Sequence, residues 1–343
     1  MTHLAFFHHK SATAVAVLIL MLVLVSPAKT AESPARAGVV ELLQHAERVL
    51  WLGAHPDDET AASILLARIK DAGGMLYMAT LTRGENSDKV WAGLRRGTEI
   101  GKAREALFAR SADIFGAAAY DIGPFVNGPH TLAELDALPA TAPFRDWPAT
   151  ATSDDVIAKW SAEGDPVEYL VTLLRRRKPE VVVSMDDYCG VSGHDEHIAT
   201  GKLLLRAIPL AGDASAYPEV GEPWQVQHVI QTADVLKPLR ACRYCKCEGS
   251  APAEPVEEVF SLEKSSAHQL LYLGVQCLIG RNYQNAMESK RWTDQQMRAG
   301  CEQIQAAAKR VYRTGVKGQP FFESFRHRPL NCSRVLRVPR HAA

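Results

Sequence analysis

The sequence shows no excess of charge of either sign, few aromatics, and no glycine-rich phosphate loop. Its 39 Lys and Arg balance 39 Asp and Glu. Dedicated nucleic-acid binders carry a basic excess, so a nucleic-acid partner is not expected. G-x-G-x-x-G does not occur, residues 97–102 fall short of a Walker A loop, and Gly190-Val191-Ser192-Gly193 has the wrong spacing for a G-x-S-x-G nucleophile. The apolar run at residues 12–25 (ATAVAVLILMLVLV) is shorter than the ~20 residues of a comfortable bilayer span. What is left is a chain of 343 residues, 47% of them hydrophobic, with globular composition and ample material for a core.

The run at 12–25 follows a polar start that ends in Lys10 and precedes Ser26-Pro27-Ala28. Charge, apolar segment and small residues in that order predict a signal peptide over residues 1–28, with Ala31 and Ala35 as other cut points. The alternative is an uncleaved N-terminal membrane anchor. Either reading exports the rest of the chain to the periplasm or beyond, and membrane contact is expected only through this segment. Seven cysteines follow: Cys189, Cys242, Cys245, Cys247, Cys277, Cys301 and Cys332. An exported chain can oxidise them, and the odd number leaves one free or paired between chains. The cluster Cys242, Cys245 and Cys247 is expected to form disulfides with Cys277, Cys301 or Cys332. A structural metal site there lacks an obvious fourth ligand.

Residues 48–53 (RVLWLG), 75–82 (MLYMATLT) and 179–185 (PEVVVSM) read as buried strands. Helical spacing follows at 60–72, 98–115, 155–177 and 198–207. Strands alternating with helices predict an α/β fold with a mainly parallel sheet and helices on both faces. Residues 123–152 and 248–258 read as loops, and an amphipathic helix is expected near 293–314. One domain is expected over 40–343, with a core at about 48–207 and a Cys-containing C-terminal extension at about 240–343.

Two segments carry chemistry. The first strand delivers Ala54-His55-Pro56-Asp57-Asp58-Glu59 to the carboxyl edge of the sheet, where open α/β sheets bind ligands. His55 and Asp58 stand three apart on a turn into a helix, and imidazole with carboxylate suits Zn²⁺ or a similar ion. N-capping alone explains Asp57 and Asp58 but not His, Asp, Asp and Glu in so short a span. The later strand delivers residues 186–197, DDYCGVSGHDEH, where His194 and His197 share a face if the helix has begun. Parallel strands bring both segments to one edge. The spacing is not that of the H-E-x-x-H zinc proteases.

AHPDDE after a strand, paired with GHDEH after a later one, resembles the PIG-L family (LmbE-like relatives of GlcNAc-phosphatidylinositol de-N-acetylase). TLTRGE at residues 80–85 and an Arg-led helix ending at Gly116 fit the same pattern, so the resemblance spans about residues 48–207. It implies a Rossmann-like fold and a zinc-dependent deacetylase, with Fe²⁺ as the other candidate ion. It further implies His55, Asp58 and His197 as metal ligands, Asp57 as general base, and His194 as general acid or oxyanion partner. Three protein ligands leave a position for water, as a catalytic zinc requires. Arg104 corresponds to an Arg that reaches the substrate pocket. Leu107 departs from the Glu often found three residues after it, and Ser192 stands where some relatives have an oxyanion-assisting Tyr. Tyr188 is an alternative helper or a packing residue, and Arg83 is a weaker candidate for substrate contact.

The expected activity is removal of an N-acyl group, N-acetyl first, from an amino sugar or related amide in a small molecule or glycan. Two alternatives remain at the level of sequence. One is a metal-dependent hydrolase of another ester or amide, including a phosphoesterase. The other is a metal- or carbohydrate-binding protein without turnover, for which Asp57 and His194 would be superfluous.

Overall fold

The computed structural model describes residues 38–87, 95–233, 247–250, 252–260 and 322–330. The apolar run at 12–25, five of the cysteines and the expected helix near 293–314 lie outside them. Among the described residues no helix is long and apolar enough to cross a membrane.

A short helix α1 (Val39–His45) leads into β1 (Arg48–Gly53), whose run of aliphatic residues is buried on both faces of the sheet. A 3-10 turn (Asp58–Ala62) precedes α2 (Ser63–Asp71), so the helical spacing read at 60–72 is divided between two kinds of turn. β2 (Met75–Thr82) and α3 (Thr98–Phe115) follow, and α3 ends at Gly116 in the left-handed conformation. β3 (Ala119–Phe125) runs into the stretch expected as loop from residue 123: Gly123 and Pro124 interrupt it and only two of its residues are buried, as suits an edge strand. Within the remaining loop-like stretch lies α4 (Leu132–Asp136).

The helical region at 155–177 is two helices, α5 (Ser153–Glu163) and α6 (Pro166–Arg177). Asp165 caps α6 by accepting from the N–H groups of Val167 (2.9 Å) and Glu168 (3.1 Å), and Pro166 takes the first helical position. β4 (Val181–Ser184), α7 (Asp195–Ala211) and β5 (His228–Thr232) complete the core. The strand order is β3-β2-β1-β4-β5, all parallel. β7 (Phe322–Pro329) then pairs antiparallel to β5, and β6 (Val256–Phe260) antiparallel to β7. The expected α/β sheet is therefore present as a mixed sheet of mostly parallel strands, and residues from the extension form its last two strands.

Period-two alternation sorts the core into two layers. Val49 and Trp51 of β1 pack with Leu65, Phe108 and Phe115 of α2 and α3, whereas Leu50 and Leu52 pack with Trp160, Leu174 and Leu203 of α5, α6 and α7. Helices thus cover both faces. After β1 the chain turns to β2 on one side, and β4 returns on the other. That reversal of strand order opens a crevice at the carboxyl ends of β1 and β4, the ligand position of such sheets.

One disulfide is present among the described residues, Cys189–Cys247, joining residues 58 apart. This corrects the expectation that Cys247 pairs toward the C-terminus. The reason is local: the Glu248 N–H donates to the Tyr188 carbonyl (2.8 Å), and Glu248 meets Lys202 (2.6 Å), which lays the segment along the turn after β4. A cross-link of that span stabilises mainly by restricting the unfolded chain, by about 2–4 kcal/mol. Cys247→Ser is expected to lose that much in denaturant unfolding. The reduced wild type should match it, and a reduced wild type as stable as the oxidised one would contradict this.

Candidate metal centre

The turn after β1 places His55, Asp57 and Asp58. Asp58 folds back under the strand end, where its Oδ2 accepts from the N–H groups of Ala54 (2.7 Å) and His55 (2.8 Å). Gly53 makes this possible, since a Cβ there would lie 2.9 Å from the Asp58 Cβ. The other oxygen, Oδ1, is 3.1 Å from His197 Nε2. His55 Nδ1 is 3.3 Å from that same His197 nitrogen and 3.6 Å from Asp58 Oδ2. Three atoms from two distant segments therefore converge.

The protons on the two rings follow from their outer neighbours. His197 Nδ1 lies 3.0 Å from the Gly190 carbonyl, which can only accept, so Nδ1 carries the proton and Nε2 a lone pair. Ser192 Oγ is 3.0 Å from the same nitrogen. His55 Nε2 is hydrogen-bonded to the Glu196 carboxylate, which leaves a lone pair on Nδ1. Two imidazole nitrogens and a carboxylate oxygen thus face one point, where either a proton on His55 or a metal ion must offset the carboxylate charge. His197 Nε2 lies 3.1 Å from Asp58 Oδ1 and 3.3 Å from His55 Nδ1, near the ~3.3 Å edge of a tetrahedron with bonds of ~2.0–2.1 Å. Burial opposes a charge on His55, yet Asp58 and Glu196 on its two sides raise its pKa to about 10, the same demand in another form. The donor set fits a divalent ion.

Glu196 is fully buried and surrounded by donors: His55 Nε2 and Asn127 Nδ2 (2.6 Å) on Oε2, the Gly128 N–H (2.6 Å) and Trp147 Nε1 (3.0 Å) on Oε1. Burial would raise its pKa, but the hydrogen bond and charge of His55 hold it well below the usual carboxylate range. A carboxylate behind a ligating His fixes its tautomer and orientation.

His194 is the N-cap of α7 with extended backbone (φ −82°, ψ 130°), so it stands outside the helix that carries His197. Its ring centroid is 4.9 Å from that of His197 and 5.2 Å from that of His55. Burial, then the neighbouring His197 and His55, lower its pKa to about 3, so its imidazole is neutral. Nitrogens of His55, His194 and His197 all lie within 4.8 Å of one another.

Asp57 faces away from Asp58. Its φ of 117° is the uncommon positive region, which Asp enters more readily than most residues. Its side chain is 28% exposed against 5% for Asp58. Arg104 on α3 holds this turn, with Nη2 3.0 Å from Asp57 Oδ1 and 2.5 Å from the Pro56 carbonyl, and Nη1 3.1 Å from the Gly84 carbonyl. The residue expected to reach a substrate is buried and braces Asp57. Arg83 pairs with Glu105 (3.0 Å) at the surface.

From the sequence alone no role falls to Glu196, Asn127, Trp147 or Asp186. Glu196 had a signal, being a carboxylate inside the His-x-x-His segment. Asn127 and Trp147 had none, since they come from irregular chain far from it.

A family model described as GlcNAc-PI de-N-acetylase (PIG-L) matches residues 50–208. A 1D-myo-inositol 2-acetamido-2-deoxy-alpha-D-glucopyranoside deacetylase of Geodermatophilus obscurus is 31% identical over 188 residues, 53% of this chain and 60% of that protein. Its counterpart in Rhodococcus jostii is 32% identical over 210 residues, 57% and 65% of the two chains. The chain spans less than two thirds of the length of either relative. Among solved structures, the N,N'-diacetylchitobiose deacetylase of Pyrococcus horikoshii has the same fold, with a TM-score of 0.51 at 14% identity, covering 94% of this chain and 95% of that one.

Proposed function

The chain carries a PIG-L family domain over residues 50–208, and from that premise we propose that it is a metal-dependent hydrolase removing an N-acyl group, N-acetyl first, from an amino sugar or related amide. The observation that carries the reading is the approach of His55 Nδ1 and Asp58 Oδ1 to His197 Nε2 (3.3 and 3.1 Å), with the neutral ring of His194 alongside and the more exposed carboxylate of Asp57 next to Asp58 in the chain. Relatives that act on an acetamido sugar support the substrate class.

In this reading His55, Asp58 and His197 hold the ion. His197 Nε2 is 3.1 Å from Asp58 Oδ1 and 3.3 Å from His55 Nδ1, and His194 stands beside them with a nitrogen within 4.8 Å of those of the other two histidines. Two imidazoles and a carboxylate suit Zn²⁺ and also Fe²⁺. The ion, when bound, polarises the scissile carbonyl and lowers the pKa of a water toward ~7. Asp57 takes the proton of the attacking water, and the Arg104 guanidinium fixes its direction. His194, on the other side, donates to the developing oxyanion and assists protonation of the leaving amine.

We also place the mature protein outside the cytoplasm. Residues 12–25 support this, and the Cys189–Cys247 disulfide agrees with an oxidising compartment. An envelope glycan or extracellular amide is then the natural substrate.

The test uses purified protein. One Zn²⁺ or Fe²⁺ per chain is expected, with acetate released from a panel of N-acetylglucosamine glycosides, abolished by chelator and restored by the ion. Metal binding without turnover of any amide in the panel would favour a binding role. A chain that takes up no ion after reconstitution would sink the proposal.

A further inference from the structure

The turn that joins β4 to α7 is built around one carboxylate that the proposed chemistry does not use. Asp186 is fully buried. Its Oδ1 accepts from the N–H groups of Tyr188 (2.9 Å), Cys189 and Gly190 (3.1 Å), and its Oδ2 from that of Val191 (3.1 Å). Four successive amides therefore point at one side chain. The turn they define is strained: Val191 has φ 59° and ψ −37°, a region that a β-branched residue rarely enters. Such a conformation persists only where its surroundings enforce it. Here Asp186 binds the Val191 amide itself, and the disulfide at Cys189 holds the residue two positions before.

The strained turn meets the metal centre at His197, whose Nδ1 also lies 3.0 Å from Ser192 Oγ of the same turn. It presents the Gly190 carbonyl to His197 Nδ1 at 3.0 Å, the contact that leaves the lone pair of Nε2 directed at Asp58 and His55. The approach is close enough that a Cβ on Gly190 would lie 2.6 Å from the His197 Cβ. We infer that Asp186 is a positioning residue for the ion: by gathering the amides of residues 188–191 it fixes the Gly190 carbonyl, and through it the tautomer and direction of His197. The inference rests on the metal-binding reading above.

Asparagine at position 186 can still accept through one oxygen, but its amide group must face at least one of the backbone donors. Asp186→Asn is expected to weaken Zn²⁺ binding by ~10–100-fold, the usual effect of losing an outer partner of a ligating His. It should also alter the ligand-field bands of the Co²⁺-loaded protein. Val191→Gly removes the strain, because glycine adopts positive φ freely. In the Asp186→Asn background it should recover part of the lost affinity, while the double variant stays weaker than Val191→Gly alone. Should Asp186→Asn fail to fold, that last comparison carries the test.

A purely structural role would lower the melting temperature and leave Zn²⁺ affinity and the Co²⁺ spectrum at wild-type values, and that result overturns the inference. So does a double variant that binds as well as Val191→Gly. A wild-type chain that takes up no ion overturns the metal reading and this inference together. A wild type that binds, with Asp186→Asn binding equally, overturns this inference alone.

Discussion

Replacing Asp57 with Asn is expected to lower kcat by about 10²–10⁴-fold, the range for losing a general base, with KM little changed and one ion per chain retained. The expectation follows from the opposite directions of two neighbouring carboxylates. Asp58 turns under β1, where two backbone amides and His197 surround it. Asp57 turns outward, and its Oδ1 is 3.0 Å from Arg104 Nη2. Asparagine is the informative substitution, because it tolerates positive φ, keeps an oxygen for Arg104 and removes only the basicity. Alanine would add backbone strain at φ 117° and mix a folding defect with the chemical one. The measurements are acetate release and metal content on the same preparation. A kcat within tenfold of wild type would remove Asp57 from the proton transfer. Loss of the ion would instead make it a ligand.

How much of this could be read from the sequence follows from where the information sits. Strands β1, β2 and β4 are buried on both faces, and such strands read as continuous apolar runs. Their loops carried His55, Asp57, Asp58, His194 and His197 as near neighbours in sequence, so each cluster was visible without knowing how the chain folds. β3 was not visible, because an edge strand with Gly123 and Pro124 has neither the apolar run nor the alternation. The same limit applies to the contacts behind the site. Asn127 and Trp147 reach Glu196 across 69 and 49 residues, from a stretch with no regular period. The disulfide shows the limit in its plainest form. Cys189 lay inside the ligand-bearing segment and Cys247 inside a cysteine cluster, and spacing alone does not pair them. Arg104 was visible as a residue of note, but its partners, the Pro56 and Gly84 carbonyls and Asp57, come from two other loops.

Glu196→Gln is expected to weaken ion binding by ~10–100-fold and to destabilise the fold by at least ~2 kcal/mol, although the change adds no bulk. All four neighbours of this carboxylate donate: His55 and Asn127 to one oxygen, Gly128 and Trp147 to the other. An amide cannot accept from both pairs. With its oxygen toward His55, its NH₂ meets the Gly128 and Trp147 N–H groups, and two buried donors lose their acceptor at ~1–3 kcal/mol each. With its NH₂ toward His55, Asn127 is left facing a donor, and the imidazole can pair only by moving its own proton to Nδ1. That proton would then occupy the lone pair that His55 offers beside Asp58 and His197. Either orientation harms the site, the first through the fold and the second through the ligand itself. Competition titration of the apo protein with Zn²⁺, alongside urea unfolding, separates the two contributions. A Gln variant that binds Zn²⁺ as tightly as wild type would mean that Glu196 does not set the His55 tautomer, and the loop carrying Asn127 and Trp147 would then be packing against the site without tuning it.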